Sequence, residues 1–404
     1  MAKKDTPKIC RFLFALLVVV VMIDPTNTIL GVKELVFICF ILSCVIYHVK
    51  VLAPMWGIIG LFFLISILSL FFGLCQQSEF KMAFTIGYFK MLLFLFVLLF
   101  VQKFDFLDKI TTGAILISII TIIIAIIFTY HMSFEPKIYE YISSRENFIM
   151  ISRRVFLGYE LVRFFYKTSP ILIIPLAFSL YRVLNSQQSG RNFFLAILFF
   201  VTLILSGTRA NMFSAVLVTL LMIIYRMNRS KLWHIVVPFL SICFLFFAVI
   251  MTKNLLEDQE ISVFIKSEHQ NSIIQLLEDH PLFLLLGQGP GSLYYTTGAG
   301  TYVPQSELSY MEIIRMFGLF MGGVIIFLWF LPLIIAYKRK NMLPEFFPFF
   351  ISYLAYLFIG GTNPLLFSST GMIVLACAYS FALKDQHENI NYHSSSTKEL
   401  VVTH

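Results

Sequence analysis

The sequence predicts an all-α, polytopic integral membrane protein with about twelve transmembrane helices and two longer outer loops. Hydrophobic residues make up 59% of the chain and charged residues only 13%, far from the composition of a soluble domain. The apolar residues come in long runs, and at about 20 residues per crossing a chain of 404 residues holds roughly a dozen of them. The net charge of +8 is scattered through the short loops between runs, which argues against a nucleic-acid partner and fits a membrane surface.

In chain order, the runs predict spans at about Ile9 to Ile23, Leu35 to Tyr47, Trp56 to Leu74, Phe84 to Val101, Ile110 to Tyr130 and Ser169 to Leu184. Six more follow at about Phe193 to Leu205, Met212 to Tyr225, Leu232 to Met251, Leu308 to Ala336, Phe346 to Ile359 and Thr370 to Leu383. The basic start, Met1 to Arg11, enters the first run without a small-residue cleavage site, so an uncleaved span and a cytoplasmic N-terminus are expected. The bias of Lys and Arg toward cytoplasmic loops agrees, placing Lys50, Lys103, Lys109, Arg182 and Lys384 inside against Lys33 and Lys81 in short outer loops. Residues 1–384 then form one transmembrane domain with outer loops at about 132–168 and 252–307, followed by a disordered cytoplasmic tail over 385–404. The six cysteines show no paired spacing, so neither a disulfide framework nor a metal cluster is expected.

The outer loops hold the polar chemistry. In the first, Arg153, Arg154, Arg163 and Lys167 stand among many Tyr and Phe residues. A helix after Ile151 would put Arg153 and Glu160 on one face, with Arg163 beside Glu160. Such a helix would suit lipid headgroups, and its guanidinium groups would equally suit a pyrophosphate, whose oxygens accept paired donors. The run from Ser206 to Asn211, SGTRAN, sets Arg209 at the outer start of a span, where free backbone N–H groups also favour an anion. In the second loop, Gly287, Gly289 and Gly291 make a flexible segment with no preceding strand, hence no nucleotide-binding turn. Glu312 and Arg315 have the spacing of an ion pair, which leaves Glu307 freer to act as an acid or base.

Three pieces carry a resemblance: SGTRAN at Ser206 to Asn211, HPLFLLLGQGPG from His280, and SELSYMEIIRMFGLFMGG from Ser306 to Gly323. Together with the topology they resemble the O-antigen polymerase and ligase superfamily. The ligase branch often has a His-Asn pair where this chain has Ser306 and Glu307, which favours the polymerase branch. The resemblance implies a GT-C-like fold in a bacterial inner membrane with its site facing the periplasm. The donor would be a glycan on undecaprenyl pyrophosphate and the acceptor an undecaprenyl-pyrophosphate-linked oligosaccharide repeat unit. Arg209, with Arg163, Arg153 or Arg154, would neutralise the leaving diphosphate. Glu307 would orient or deprotonate the acceptor, and Glu160, His280, Tyr294 and Arg315 would contact the glycan. No cofactor is expected, and no acidic pair on the outer face calls for a metal. Membrane lipids surround such a site, and it leaves room for a chain-length regulator. The alternatives are an O-antigen ligase and a lipid-linked oligosaccharide flippase, the latter suggested by Lys90 inside a span.

Overall fold

A run of Leu, Ile, Val and Phe long enough to cross hydrocarbon must satisfy its own backbone, and a helix does so within one segment. The computed structural model describes residues 6–144, 149–156, 159–185, 189–227 and 261–384. The described residues are mostly helical, with few strands. The first half supplies α1 (Lys8–Ile23), α2 (Lys33–Ile46), α3 (Pro54–Cys75), α4 (Met82–Leu93), continued by a 3-10 stretch Phe94–Phe100, and α5 (Phe106–Thr129). Short α6 (Glu135–Ser143) leads to strands β1 (Ile149–Phe156) and β2 (Tyr159–Tyr166). The chain re-enters the bundle through α7 (Ile173–Leu184), α8 (Ser189–Leu205) and α9 (Arg209–Met227). After it come α10 (Ile261–Asp279), α11 (Pro281–Leu286), strands β3 (Tyr294–Thr296) and β4 (Thr301–Val303), then α12 (Ser309–Lys338), α13 (Phe346–Gly361) and α14 (Ser369–Ala382).

Among the described residues, five helical stretches, Pro54–Cys75, Met82–Phe100, Phe106–Thr129, Arg209–Arg226 and Ser309–Lys338, are long and apolar enough to cross a membrane, and they mark the chain as membrane-embedded. Shorter apolar helices run over Ser169–Leu184, Gly190–Leu205, Phe346–Gly361 and Ser369–Ala382. The expected span from Leu232 to Met251 and the expected tail over 385–404 lie outside the described residues.

Hydrogen bonds at the helix termini sort the elements into two ends. At one, Thr168 Oγ1 donates to the Met22 carbonyl at 2.8 Å, Tyr166 donates to the Ile23 carbonyl, and Lys33 Nζ reaches Pro25 O at 2.7 Å and Ser369 Oγ at 3.3 Å. This hairpin end therefore holds the close of α1 and the starts of α2 and α14. At the far end, Arg339 donates to the carbonyls of Ala382 and Lys384 at 2.8 Å each, and Arg182 pairs with Glu345 at 3.2 Å. Between the ends the core is aromatic. Trp329, Tyr353 and Tyr379 are fully buried, and the tyrosine hydroxyls keep partners by donating to Trp329 O and Leu328 O at 2.8 and 2.9 Å, joining α13 and α14 to α12.

The helix expected after Ile151 is a β-hairpin. Ile149 pairs with Tyr166 and Ile151 with Phe164, and Phe164 and Tyr166 are buried against the bundle. Alternate β-branched and aromatic residues thus cover the helix ends with period two, and this outcompetes the helical reading of the same residues. The register also separates the arginines. Arg163 stands opposite Ser152, Arg153 opposite Val162 and Arg154 opposite Leu161, while Glu160 stands opposite Val155.

Candidate functional site

The turn from α8 into α9 brings two of the sequence-selected arginines together. Helix α8 stops because Gly207 takes φ +60°, a left-handed conformation that costs glycine nothing. Ser206 and Asn211 brace the turn, with Asn211 Nδ2 donating to Ser206 Oγ at 2.9 Å and Ser206 Oγ donating to Leu203 O at 2.6 Å. The missing side chain has a second use. A Cβ at Gly207 would stand 2.5 Å from Cγ of Arg163, so the aliphatic part of that arginine lies directly across the glycine. Arg163 from β2 is therefore packed two residues from Arg209, which opens α9. The result lays the Arg163 stem on the turn that leads into the positive end of α9, where Arg209 stands, with the Arg163 guanidinium carbon 5.9 Å from the Phe165 ring; arginines at such a helix start suit phosphate oxygens.

Two lysines add to the positive charge at this end, and the sequence reading used them only as loop charges. Lys33 is 7% exposed, and its two hydrogen-bond acceptors, Pro25 O and Ser369 Oγ, are both neutral. The carboxylate of Asp24 is taken by the backbone N–H groups of Thr28, Ile29 and Leu30 at 2.9, 3.0 and 2.7 Å, and Glu34 accepts from Asn27. Lys167 lies between Tyr166 and Thr168, which are bonded to the end of α1, and its charge acts on Lys33. Burial holds the Lys167 ammonium below the usual lysine range, and no carboxylate pairs with it among the described residues. A lysine immediately before an apolar run is costly to place, and that cost was the available signal for Lys33.

The glycine-rich segment and the start of α12 form a clasp. Gly318 interrupts α12 with φ +72°, and a Cβ there would meet Leu285 O at 2.3 Å. The interruption frees carbonyls one turn earlier, and the segment uses them: Gln288 N donates to Arg315 O at 2.8 Å and Gly289 N to Met316 O at 2.9 Å. Below it lies the fully buried pair of Glu312 and Arg315, 2.8 Å apart. Arg315 Nε and Nη2 donate to Glu312 Oε2, Nη1 to Gln288 Oε1 and Ser292 Oγ at 2.7 and 2.8 Å, and Nη2 also to Pro304 O at 2.8 Å. Glu312 Oε1 accepts from Ser306 N at 2.7 Å and from the Tyr294 hydroxyl at 2.9 Å. Burial pushes the Tyr294 phenol up, with the Glu312 charge adding to the rise. Arg315 and Tyr294, which the sequence reading directed at the glycan, thus have their polar atoms committed inside the protein.

Glu307 sits just outside this clasp. Its side chain is 53% exposed and pairs with Lys266 of α10 at 3.0 Å, while Lys266 also donates to Thr362 O at the end of α13. The carboxylate that sequence spacing left unpaired therefore gains a partner from a distant helix, and remains open to solvent. His280 is exposed beside Phe283, with ring centroids 5.0 Å apart. Helix α13 links the two regions, packing along α9 through Tyr225 on Phe347 and Phe213 on Phe358, and meeting Lys266 just past its last turn at Thr362. No protein-family model, curated protein or solved structure matches the chain.

Proposed function

We propose that the chain is a glycosyltransferase that polymerises oligosaccharide repeat units carried on undecaprenyl pyrophosphate, at the periplasmic face of a bacterial inner membrane. The observation that carries the reading is the packing of the Arg163 stem across Gly207, two residues before Arg209 opens α9. A twelve-pass, GT-C-like arrangement is part of the proposal. It is supported by α1 closing and α2 and α14 opening at the hairpin end, while α7, α12 and α14 close at the far end.

In this reading a hydroxyl of the acceptor unit attacks the anomeric carbon of the donor glycan. The bond from that carbon to the diphosphate oxygen breaks, and its electron pair leaves with the lipid diphosphate. Arg209 and Arg163 neutralise the charge that gathers there, with Lys167 nearby. Diphosphate leaves readily, so the acceptor hydroxyl needs only orientation and a place for its proton, and the exposed carboxylate of Glu307 supplies both. A flippase is less well supported, because Lys90, the charge that suggested it, lies on an exposed side of α4 rather than facing a central path. The test is the surface-glycan ladder of cells carrying Arg209→Ala, Arg163→Ala or Glu307→Gln in place of the native chain. Loss of long chains at normal membrane abundance supports the reading, and an unchanged ladder in the arginine variants refutes it.

A further inference from the structure

A cavity of about 890 Å³ opens at the far end of the bundle, on the side opposite the arginine turn. Its lining includes five cations, Arg11, Lys103, Lys109, Arg182 and Lys384, against two carboxylates, Asp105 and Glu345. Some of this charge is spent locally. Lys109 pairs with Asp108 at 2.7 Å and Arg182 with Glu345 at 3.2 Å, and Asp105 caps α5 by accepting from Asp108 N. Lys103 and Lys384 have no carboxylate partner among the described residues.

The two lysines are held in place by their backbones. Ser380 Oγ donates to Val101 O at 2.6 Å and Gln102 Nε2 to Leu383 O at 3.3 Å, which stitches the turn carrying Lys103 to the end of α14. Arg339 then fixes Lys384 through its carbonyl at 2.8 Å. The deeper walls are apolar, formed in part by Phe14, Phe104, Phe178 and Phe381. Phe12 also lines the cavity and is 65% exposed, so one wall continues to the outer surface of an apolar bundle. The volume lies within the usual ligand range of roughly 300–1,000 Å³, well beyond a lone phosphate. A cationic rim over phenyl walls matches a phosphodiester attached to acyl chains, and basic pockets at helix ends take anionic headgroups in this way.

We infer that this cavity is a binding site for the headgroup and upper acyl chain of an anionic glycerophospholipid, held by Lys103 and Lys384. The inference does not depend on the reaction at the hairpin end. The test uses the purified full-length chain, with binding of phosphatidylglycerol, phosphatidylcholine and glycerol 3-phosphate followed by native mass spectrometry and thermal shift. Phosphatidylglycerol should bind and stabilise in preference to phosphatidylcholine. Lys103→Gln together with Lys384→Gln should weaken it about thirtyfold, the effect of two charges at roughly one unit of surface attraction each. Lys103→Arg with Lys384→Arg should retain it, which separates charge from folding. Equal binding of the two lipids overturns the inference, as does undiminished binding by the Gln pair. Glycerol 3-phosphate competing as tightly as the lipid would mean a soluble phosphate ester is the ligand, and would overturn it too.

Discussion

Replacing Arg315 by Met tests whether the glycine-rich clasp depends on one buried charge pair. The change removes donors from Glu312, Gln288, Ser292 and Pro304 at once, while the Glu312 carboxylate stays fully buried. Breaking such a pair from one side costs about 3–5 kcal/mol, since the stranded charge has lost its solvation and its counter-ion. Removing both charges with Arg315→Met and Glu312→Gln should recover about half of that loss, because the amide can still accept from Ser306 N and Tyr294 while the loop acceptors stay unfilled. The readouts are thermal unfolding in detergent and chymotrypsin cleavage at Tyr295 and Tyr302, both exposed in the segment the clasp holds. The single variant should be cut faster and melt earlier than the double. Equal protection of the single variant and the native chain would show that the segment is ordered by its backbone bonds to α12 alone, and the electrostatic argument would fail.

At the arginine turn, Gly207→Ala should cost about 1–2 kcal/mol for the left-handed backbone and should also push Arg163 aside, since the new Cβ would overlap its Cγ. Glycan chain length should fall with it, whereas Gly60→Ala in open space on α3 should leave both stability and ladder intact; an intact ladder in Gly207→Ala would detach Arg163 from the site. For Lys167, burial places the folded pKa below 10.5. The unfolded chain then binds more protons between the lowered value and 10.5, so stability rises with pH across that window and the cost of the buried charge is full below it. Lys167→Met should be more stable than the native chain at neutral pH, with the difference in melting temperature closing as pH approaches 10.5. A difference that ignores pH would mean the charge is not what burial penalises.

Helix positions were readable because hydrocarbon leaves the backbone no other partner. The Ser169 to Leu184 run is met by a 3-10 turn and α7 over the same residues, and the other described runs are helical to within a few residues. The hairpin was missed because residues 149–166 satisfy both periods. Which one wins depends on the surface it covers, here the ends of α1 and α5, and that surface is made by residues far away in sequence. Lys266 is the same kind of omission. Nothing in the local pattern of α10 says that it meets Glu307, because the meeting is set by the last turn of α13.

The three sequence pieces behind the resemblance do different physical work, and that bears on where chemistry can occur. The piece from His280 and the piece from Ser306 close on each other through Gly318, and the Glu312 and Arg315 charges are consumed in doing so. A guanidinium with all its N–H groups engaged cannot also follow a moving phosphate without opening the clasp. The SGTRAN turn instead presents Arg209 at a helix start and lays Arg163 across its glycine. If a diphosphate is bound, it is this turn that can answer the developing charge, and the clasp's part is to hold the chain just before α12 so that Glu307 stays at the surface rather than within it.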